Sequence, residues 1–177
     1  MLTTLFIIAI VAAVAIAIVL LVAAGKPDTF HVERETTIAA PPERIFALIN
    51  DFRNWRSWSP WEKLDPAMTR TLSGAESGKG AVYEWKGAGK VGQGRMEIAE
   101  ASPSEIAIDL HFLKPFKAHN VAHFRLEPRG GKTKVTWGMD GKSPFVAKVM
   151  HTVVNMDRMV GKDFEAGLAN LKALAEK

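Results

Sequence analysis

The stretch Ile38–Trp61, IAAPPERIFALINDFRNWRSWSPW, changes character twice along its length, and those changes lay out the rest of the chain. It opens as the tail of an extended run, His31–Ala40 (HVERETTIAA), in which Val32, Thr36 and Ile38 are β-formers. Pro41-Pro42 stops that strand, and Pro42 or Glu43 suits the first turn of a helix. In Glu43–Phe52 (ERIFALINDF) the apolar residues Ile45, Phe46, Ile49 and Phe52 recur at helical spacing. Then come Trp55, Trp58 and Trp61, three of the chain's five tryptophans, three residues apart. Positions i and i+3 lie close to one side of a helix. Trp55 and Trp58 therefore share a face of a second short helix that ends at Pro60, with Trp61 just beyond it.

Downstream the pattern turns to period two. Strands are expected at Met68–Leu72, Ala81–Lys86, Val91–Ala101, Ser104–Leu113, Lys117–Glu127 and Thr133–Gly141, separated by short turn-forming segments such as SGAESGKG, GAG and PRGG. Connections this short predict antiparallel hairpins. With the first strand they make a curved seven-stranded sheet. After Pro144, Phe145–Glu176 reads as helix, with Val146, Val149, Val153, Met156, Val160, Phe164, Leu168 and Leu171 forming an apolar stripe. A break is expected near His151–Asn155 or at Gly161. Gly161 and Gly167 each cost a helix about 1 kcal/mol relative to alanine, which close packing of the backbone on the sheet offsets.

Upstream, Leu2–Ala24 (LTTLFIIAIVAAVAIAIVLLVAA) has no charged residue. As a helix it rises roughly 34 Å, enough to cross a hydrocarbon core of about 30 Å. Val22-Ala23-Ala24 has the small residues of a signal-peptide cleavage site. No basic residue precedes the run, however, and it exceeds the ~7–15 residues of a signal core. The layout expected is a single transmembrane anchor at residues 1–25, a linker at 26–30 and a soluble domain at 31–177. Lys26, Arg34 and Arg44 follow the span, so the positive-inside rule places that domain in the cytoplasm, tethered to the cell membrane by one pass. The net charge of +4 comes from 23 Lys/Arg interspersed with 19 Asp/Glu. Without a basic run this argues against a nucleic-acid partner and for a solvated surface mildly attracted to anionic headgroups. The absence of cysteine excludes disulfides and thiolate chemistry.

The order of strand, two short helices, six strands and long helix resembles the helix-grip fold of the START-like superfamily, also called SRPBCC or polyketide cyclase/dehydrase-like, and its membrane-anchored subgroup. The segments carrying the resemblance are IAAPPERIFALINDFRNWRSWSPW, GAVYEWKGAGKVGQGRMEI, KTKVTWGMDG and MVGKDFEAGLANLKALAEK, spanning about Phe30 to Lys177. The resemblance implies an α+β domain that binds lipids, polyketides, quinones, hormones or other hydrophobic molecules. Only some members of the superfamily are enzymes.

Motifs of catalysis find little support. Gly87-Ala88-Gly89-Lys90-Val91-Gly92 matches G-x-G-x-x-G, but the alternating QGRMEIAEA behind it predicts a hairpin and not the helix a pyrophosphate needs. Gly141-Lys142-Ser143 is not a P-loop, since Thr136 stands where its first glycine belongs. His119 and His123 on one strand lie roughly 13 Å apart, too far for ligands that must each approach zinc to about 2.1 Å. With His111 they read as surface histidines of the convex face, and no metal or cofactor is expected. Glu84, Glu97, Asp109 and Asp140 are the candidate acids. Alternation turns Glu84, Glu97 and Asp109 outward if Tyr83, Trp85, Met96, Ile98, Ile108, Leu110 and Phe112 face inward. No catalytic residue is therefore assigned.

A curved sheet closed by one helix is expected to leave an apolar cavity between them. Ligand contacts are expected from Trp55, Trp58, Trp61, Tyr83, Trp85, Met96, Ile108, Leu110, Phe112, Trp137, Met139, Val153, Met156 and Val160. The indoles and Tyr83 add directional hydrogen bonds. Met139, Met150, Met156 and Met159 suit irregular apolar space, as core or as ligand contacts. The function expected is a membrane-tethered binder of a hydrophobic small molecule or lipid. The competing classes are a cyclase- or dehydratase-type enzyme and a protein-interaction module at the membrane.

Overall fold

The alternating segments do pair as successive hairpins. The computed structural model describes residues 1–89 and 91–177, with only the main chain of Leu2. Lys90, within the Gly87–Gly92 motif, lies outside the described residues. Seven antiparallel strands, β1 (Thr29–Ile38), β2 (Thr69–Gly74), β3 (Ala81–Lys86), β4 (Gln93–Ser102), β5 (Glu105–Lys114), β6 (Ala118–Arg129) and β7 (Lys132–Lys142), form one sheet. Its order is β1-β7-β6-β5-β4-β3-β2. Each strand from β3 to β7 pairs with the one before it in sequence, and β1 closes the far edge on β7. The Gly87–Gly92 motif turns the β3–β4 hairpin, with Gly87 N–H donating to Gly92 O at 2.8 Å. Gly92 has φ +63 and its missing side chain leaves room for the Lys114 carbonyl.

Register sorts the side chains into two faces. Trp137 lies opposite Phe124 and Arg34, and Met139 lies opposite Ala122 and Val32, all toward the helices. The alternate row His31, Asp140, Val121, Asp109, Glu97 and Val82 points the other way. Glu84 and Arg95 are paired on that same outer face. The outward course that alternation gave Glu84, Glu97 and Asp109 is the one seen, and Asp140, for which alternation was not applied, joins them.

The two short helices are α2 (Pro42–Ile49), which buries Ile45 and Ile49, and α3 (Trp55–Trp58). The second is a single turn held between 3-10 turns at Phe52–Asn54 and Pro60–Lys63. Asp51 starts this segment by accepting from Arg53 N–H at 2.9 Å.

The C-terminal helical stretch is divided into α4 (Phe145–Val153) and α5 (Met156–Ala175). The break falls at Val154–Asn155, inside the interval expected, and Asn155 Oδ1 caps α5 by accepting from Arg158 N–H at 2.9 Å. On α5 the stripe is as expected, with Phe164, Leu168 and Leu171 buried against the sheet. On α4 it is not. Val146 and Val153 are 73% and 77% exposed, so the apolar stripe does not run on continuously across the break. The cause is a competing attachment on the other side of α4. Lys148 Nζ pairs with Asp28 at 2.6 Å, Lys26 Nζ donates to His151 O at 2.8 Å, and Ser143 N–H donates to Asp28 O at 2.7 Å. These bonds hold the polar face of α4 on the linker that follows α1 (Leu2–Ala24), and α4 packs along the end of α1, where Ala23 is fully buried.

The glycines of α5 sit at points of close approach. The Arg34 guanidinium occupies the place of a Gly161 side chain. A Cβ on Gly167 would stand 2.5 Å from Trp137 Cζ3.

Candidate functional site

The inner face of the sheet differs from end to end. Beside α2 and α3 it is filled. Trp55 donates its indole N–H to Ile49 O at 2.9 Å, and Trp58 donates to Leu48 O at 3.1 Å. Trp58 meets Trp137 edge to face at 5.5 Å, and Trp137 stacks between Phe124 (4.8 Å) and Phe164 (4.3 Å). Trp61 closes on Trp137 at 5.5 Å. The cavity expected between sheet and helix is therefore occupied by interlocked aromatics at this end. Three large flat side chains wedged under one helix leave no room for a guest.

Toward the other end of the strands the filling thins. Phe30, Gly141, Asn120, Leu110, Met96 and Tyr83 form one inward row, and Phe112, Gly94 and Trp85 the next. Of the residues expected to contact a ligand, Trp55, Trp58, Tyr83, Met96, Ile108, Trp137 and Met139 are buried. Trp61, Trp85, Leu110, Phe112, Met156 and Val160 are half-buried. Val153 stands apart: it ends α4 with its side chain in the open, because the break before Asn155 turns it away from the sheet.

Two buried polar groups, one without a partner and one with a weak partner, lie among these apolar ones. Trp137 Nε1 is buried without a partner. Asn120, 7% exposed, donates only to Met139 Sδ at 3.7 Å, a weak acceptor. Buried donors of this kind call for a partner. Asn120 was legible, since it alternates with the inward Ala122 and Phe124, but the flanking His119 and His123 drew the reading of that strand.

Beside Trp61 lies a polar cluster that periodicity did not reveal. Glu62 Oε1 accepts from the Tyr83 hydroxyl at 2.5 Å, and Glu62 Oε2 accepts from Arg70 Nε at 2.6 Å. Arg70 also donates to Met68 O and Glu62 O. Burial, followed by the bond to Glu62, pushes the Tyr83 hydroxyl far above the usual tyrosine range. Glu62 lies on a 3-10 turn, whose three-residue repeat neither the helical nor the strand template follows.

The outer face carries the histidines. His111 and His119 stack at 4.3 Å, with His119 3.2 Å from Asp109. His123 departs from the expected surface position. It is 8% exposed because Gly138 beneath it leaves space for its ring, and it sits 3.4 Å from Asp140, which also binds His31 at 2.7 Å. Among the described residues no group of three His, Cys, Asp or Glu has metal-holding geometry.

Neither of two surface hollows lies between the sheet and α5. One, of about 190 Å³, lies against Asp51–Arg53 and β2. The other, of about 310 Å³, lies over His111–Leu113 and Lys117–His119 and touches Phe112.

Comparison with known proteins follows the same outline. The family profile described as "Polyketide cyclase / dehydrase and lipid transport" matches residues 29–176. Protein CV1439 from Chromobacterium violaceum superposes with a TM-score of 0.60 at 16% identity, covering 86% of this chain and 99% of its own. The KanY protein gives 0.63 at 16%, covering 84% and 99%. The Aha1 dimer from Colwellia psychrerythraea gives 0.59 at 14%, covering 83% and 96%. Identities this low speak for the shared fold alone. No curated protein matches the chain in sequence.

Proposed function

Because the chain belongs to the polyketide cyclase/dehydrase and lipid transport family, we propose that it is a membrane-tethered binding protein for a hydrophobic small molecule or lipid. The observation that carries this reading is the contrast along the inner face. One end is packed shut, while the other presents Phe30, Trp85, Leu110 and Phe112 half-buried along the rows that hold the buried amide of Asn120. An apolar surface with one buried polar handle suits a ligand with a greasy body and a carbonyl or hydroxyl group. The tether rests on Thr3–Ala24, a 22-residue helix containing an exposed 18-residue stretch of mean hydropathy 3.5. Apolar ligands partition into bilayers, so a tethered site meets them at high local concentration. The cations that follow the span favour a cytoplasmic domain.

A cyclase-type reading would need an inward acid or base, and Glu62 with Tyr83 is the pair the fold offers. Glu62 is held by Arg70 as well as by Tyr83, and Tyr83 keeps its proton far into the alkaline range. That arrangement favours binding over proton transfer near neutral pH.

The test is extraction of the full chain, reconstituted in nanodiscs from its own host membrane, followed by mass spectrometry against empty nanodiscs. Wild type should carry an enriched apolar species, and Leu110→Trp, which fills the half-buried end, should lose it while keeping its circular dichroism. Equal extracts from wild type, Leu110→Trp and empty discs would refute the binding site.

A further inference from the structure

The polarity of α4 is inside out. Lys148 is 8% exposed and faces the protein, whereas Phe145, Val146, Met150 and Val153 are 50%, 73%, 49% and 77% exposed. At helical geometry these four fall within one sector of roughly 140°. An amphipathic helix on a soluble domain buries that stripe and wets the other. Here the polar side is bonded to the linker through Asp28 and Lys26, and the apolar side is left bare.

A second apolar projection lies at the same end of the sheet. β7 runs into α4, and its end pairs with the start of β6 through Gly141 and Asn120. The connection that enters β6 there carries Phe116, 70% exposed, with Leu113, 43% exposed, just before it. Lys114, Lys117 and Lys142 are exposed around this end, with Lys26 half-buried among them, and Asp28 is already paired with Lys148.

The end of α1 sets the depth of this surface. α1 is the element packed along α4, and Val19 and Ala23 are its covered positions. From Val19 to the end of α1 the rise is about 7.5 Å, comparable to the ~5–10 Å by which interfacial helices sink into the boundary between headgroups and acyl chains.

We propose that the bare face of α4 and the Leu113–Phe116 tip are a docking surface for the lipid bilayer itself. The apolar side chains sit at the headgroup–acyl boundary, and Lys26, Lys114, Lys117 and Lys142 lie against anionic headgroups. The inference rests on the membrane-tether reading and deepens it. A rigidly docked domain turns the half-buried row of Phe112 and Trp85, next to the tip, toward the membrane. A ligand then passes between bilayer and protein without crossing bulk water.

The chain has no cysteine, so single labels are clean. Phe116→Cys, Val146→Cys and Val153→Cys carry an environment-sensitive fluorophore, and Glu76→Cys, on the β2–β3 turn at the opposite end of the sheet, serves as control. The full chain is reconstituted in phosphatidylcholine–phosphatidylserine vesicles and quenched with brominated lipid or with aqueous iodide. The first three labels should be quenched by lipid and shielded severalfold from iodide, with Glu76→Cys the reverse. Replacing phosphatidylserine by phosphatidylcholine should weaken lipid quenching at position 116. If the chain resists carbonate extraction but all four labels meet iodide equally, the docking surface is refuted and the tether stands. If carbonate releases the chain while the three labels had been lipid-quenched, the tether fails and the docking surface stands.

Discussion

At Gly167 a single hydrogen atom decides whether α5 can lie on the sheet. A Cβ there would meet Trp137 Cζ3 at 2.5 Å and Pro60 Cδ at 3.2 Å, and Trp137 is itself wedged between Phe124 and Phe164. Gly167→Ala gains about 1 kcal/mol of helix propensity, but overpacking of a filled core costs about 1–3 kcal/mol. Because the indole has nowhere to move, we expect a net loss, read as a lower denaturant midpoint of the detergent-solubilised chain. Tyr83 allows a cleaner measurement, since it is the sole tyrosine. Its hydroxyl is raised from the usual 10.0, so the folded state holds this proton longer than the unfolded chain. Its contribution to stability is full below pH 10.0 and declines as pH rises above it. Tyrosinate absorbance should therefore be missing from the folded protein where free tyrosine already titrates. Its appearance at the ordinary pH would show that the hydroxyl is neither buried nor bonded to Glu62. The carboxylate that makes this bond was hidden from pattern reading by its 3-10 turn, whereas the inward course of Tyr83 itself was plain from alternation with Glu84.

Helix α5 is tied at its first turn by one cation. Arg34 donates to Asp157 at 2.9 Å and to Glu165 at 2.8 Å from β1, lying over Gly161, and Asn155 caps the same turn. The bond from Arg34 holds the Asp157 carboxyl below its usual 3.8. A lowered carboxyl stabilises the fold at pH above the usual value, and that stabilisation is lost as pH falls through the folded value. Arg34→Met should accordingly speed amide exchange in the first turn of α5 at neutral pH. The difference from wild type should shrink in acid once Asp157 is protonated, leaving the share carried by the bonds to Glu165 and to Asp157 O. A difference that persists unchanged there would assign the effect to lost packing over Gly161. At this scale the sequence was most informative: strand count, hairpin order and the interval containing the break in the C-terminal helix all follow from periodicity and turn residues. Val153 was misassigned for a reason internal to that method. Apolar residues spaced by three and four run from Val149 through Val153 to Met156, so the stripe looks continuous even though Val154 and Asn155 leave the helix.

Across the whole molecule, α1 and the sheet join through α4 and the segment after α1 rather than through a free hinge. Lys148 is drawn onto Asp28, whose carboxyl is held below its usual value by that bond. α4 in turn packs on α1, with His151 meeting Phe30 of β1 edge to face at 6.0 Å. Neither attachment could be read from periodicity, because each joins residues more than a hundred positions apart whose only visible cue is charge. Two consequences separate when residues 1–24 are removed. The sheet and α5 share a core built from Ile38, Phe124, Trp137, Phe164 and Leu168 that, among the described residues, includes nothing from α1, so their amide protection should survive. α4 is nine residues long, too short to persist as an isolated helix, and one of its supports would be gone. It should therefore exchange fast, and its bare Phe145, Val146, Met150 and Val153 should drive self-association in buffer that detergent reverses. Hydrogen exchange with mass spectrometry reads the two regions in one experiment. Equal protection of α4 with and without α1 would mean that the linker bonds alone hold the helix, and the placement of α4 would then be set by Lys26, Asp28 and Lys148 without help from α1.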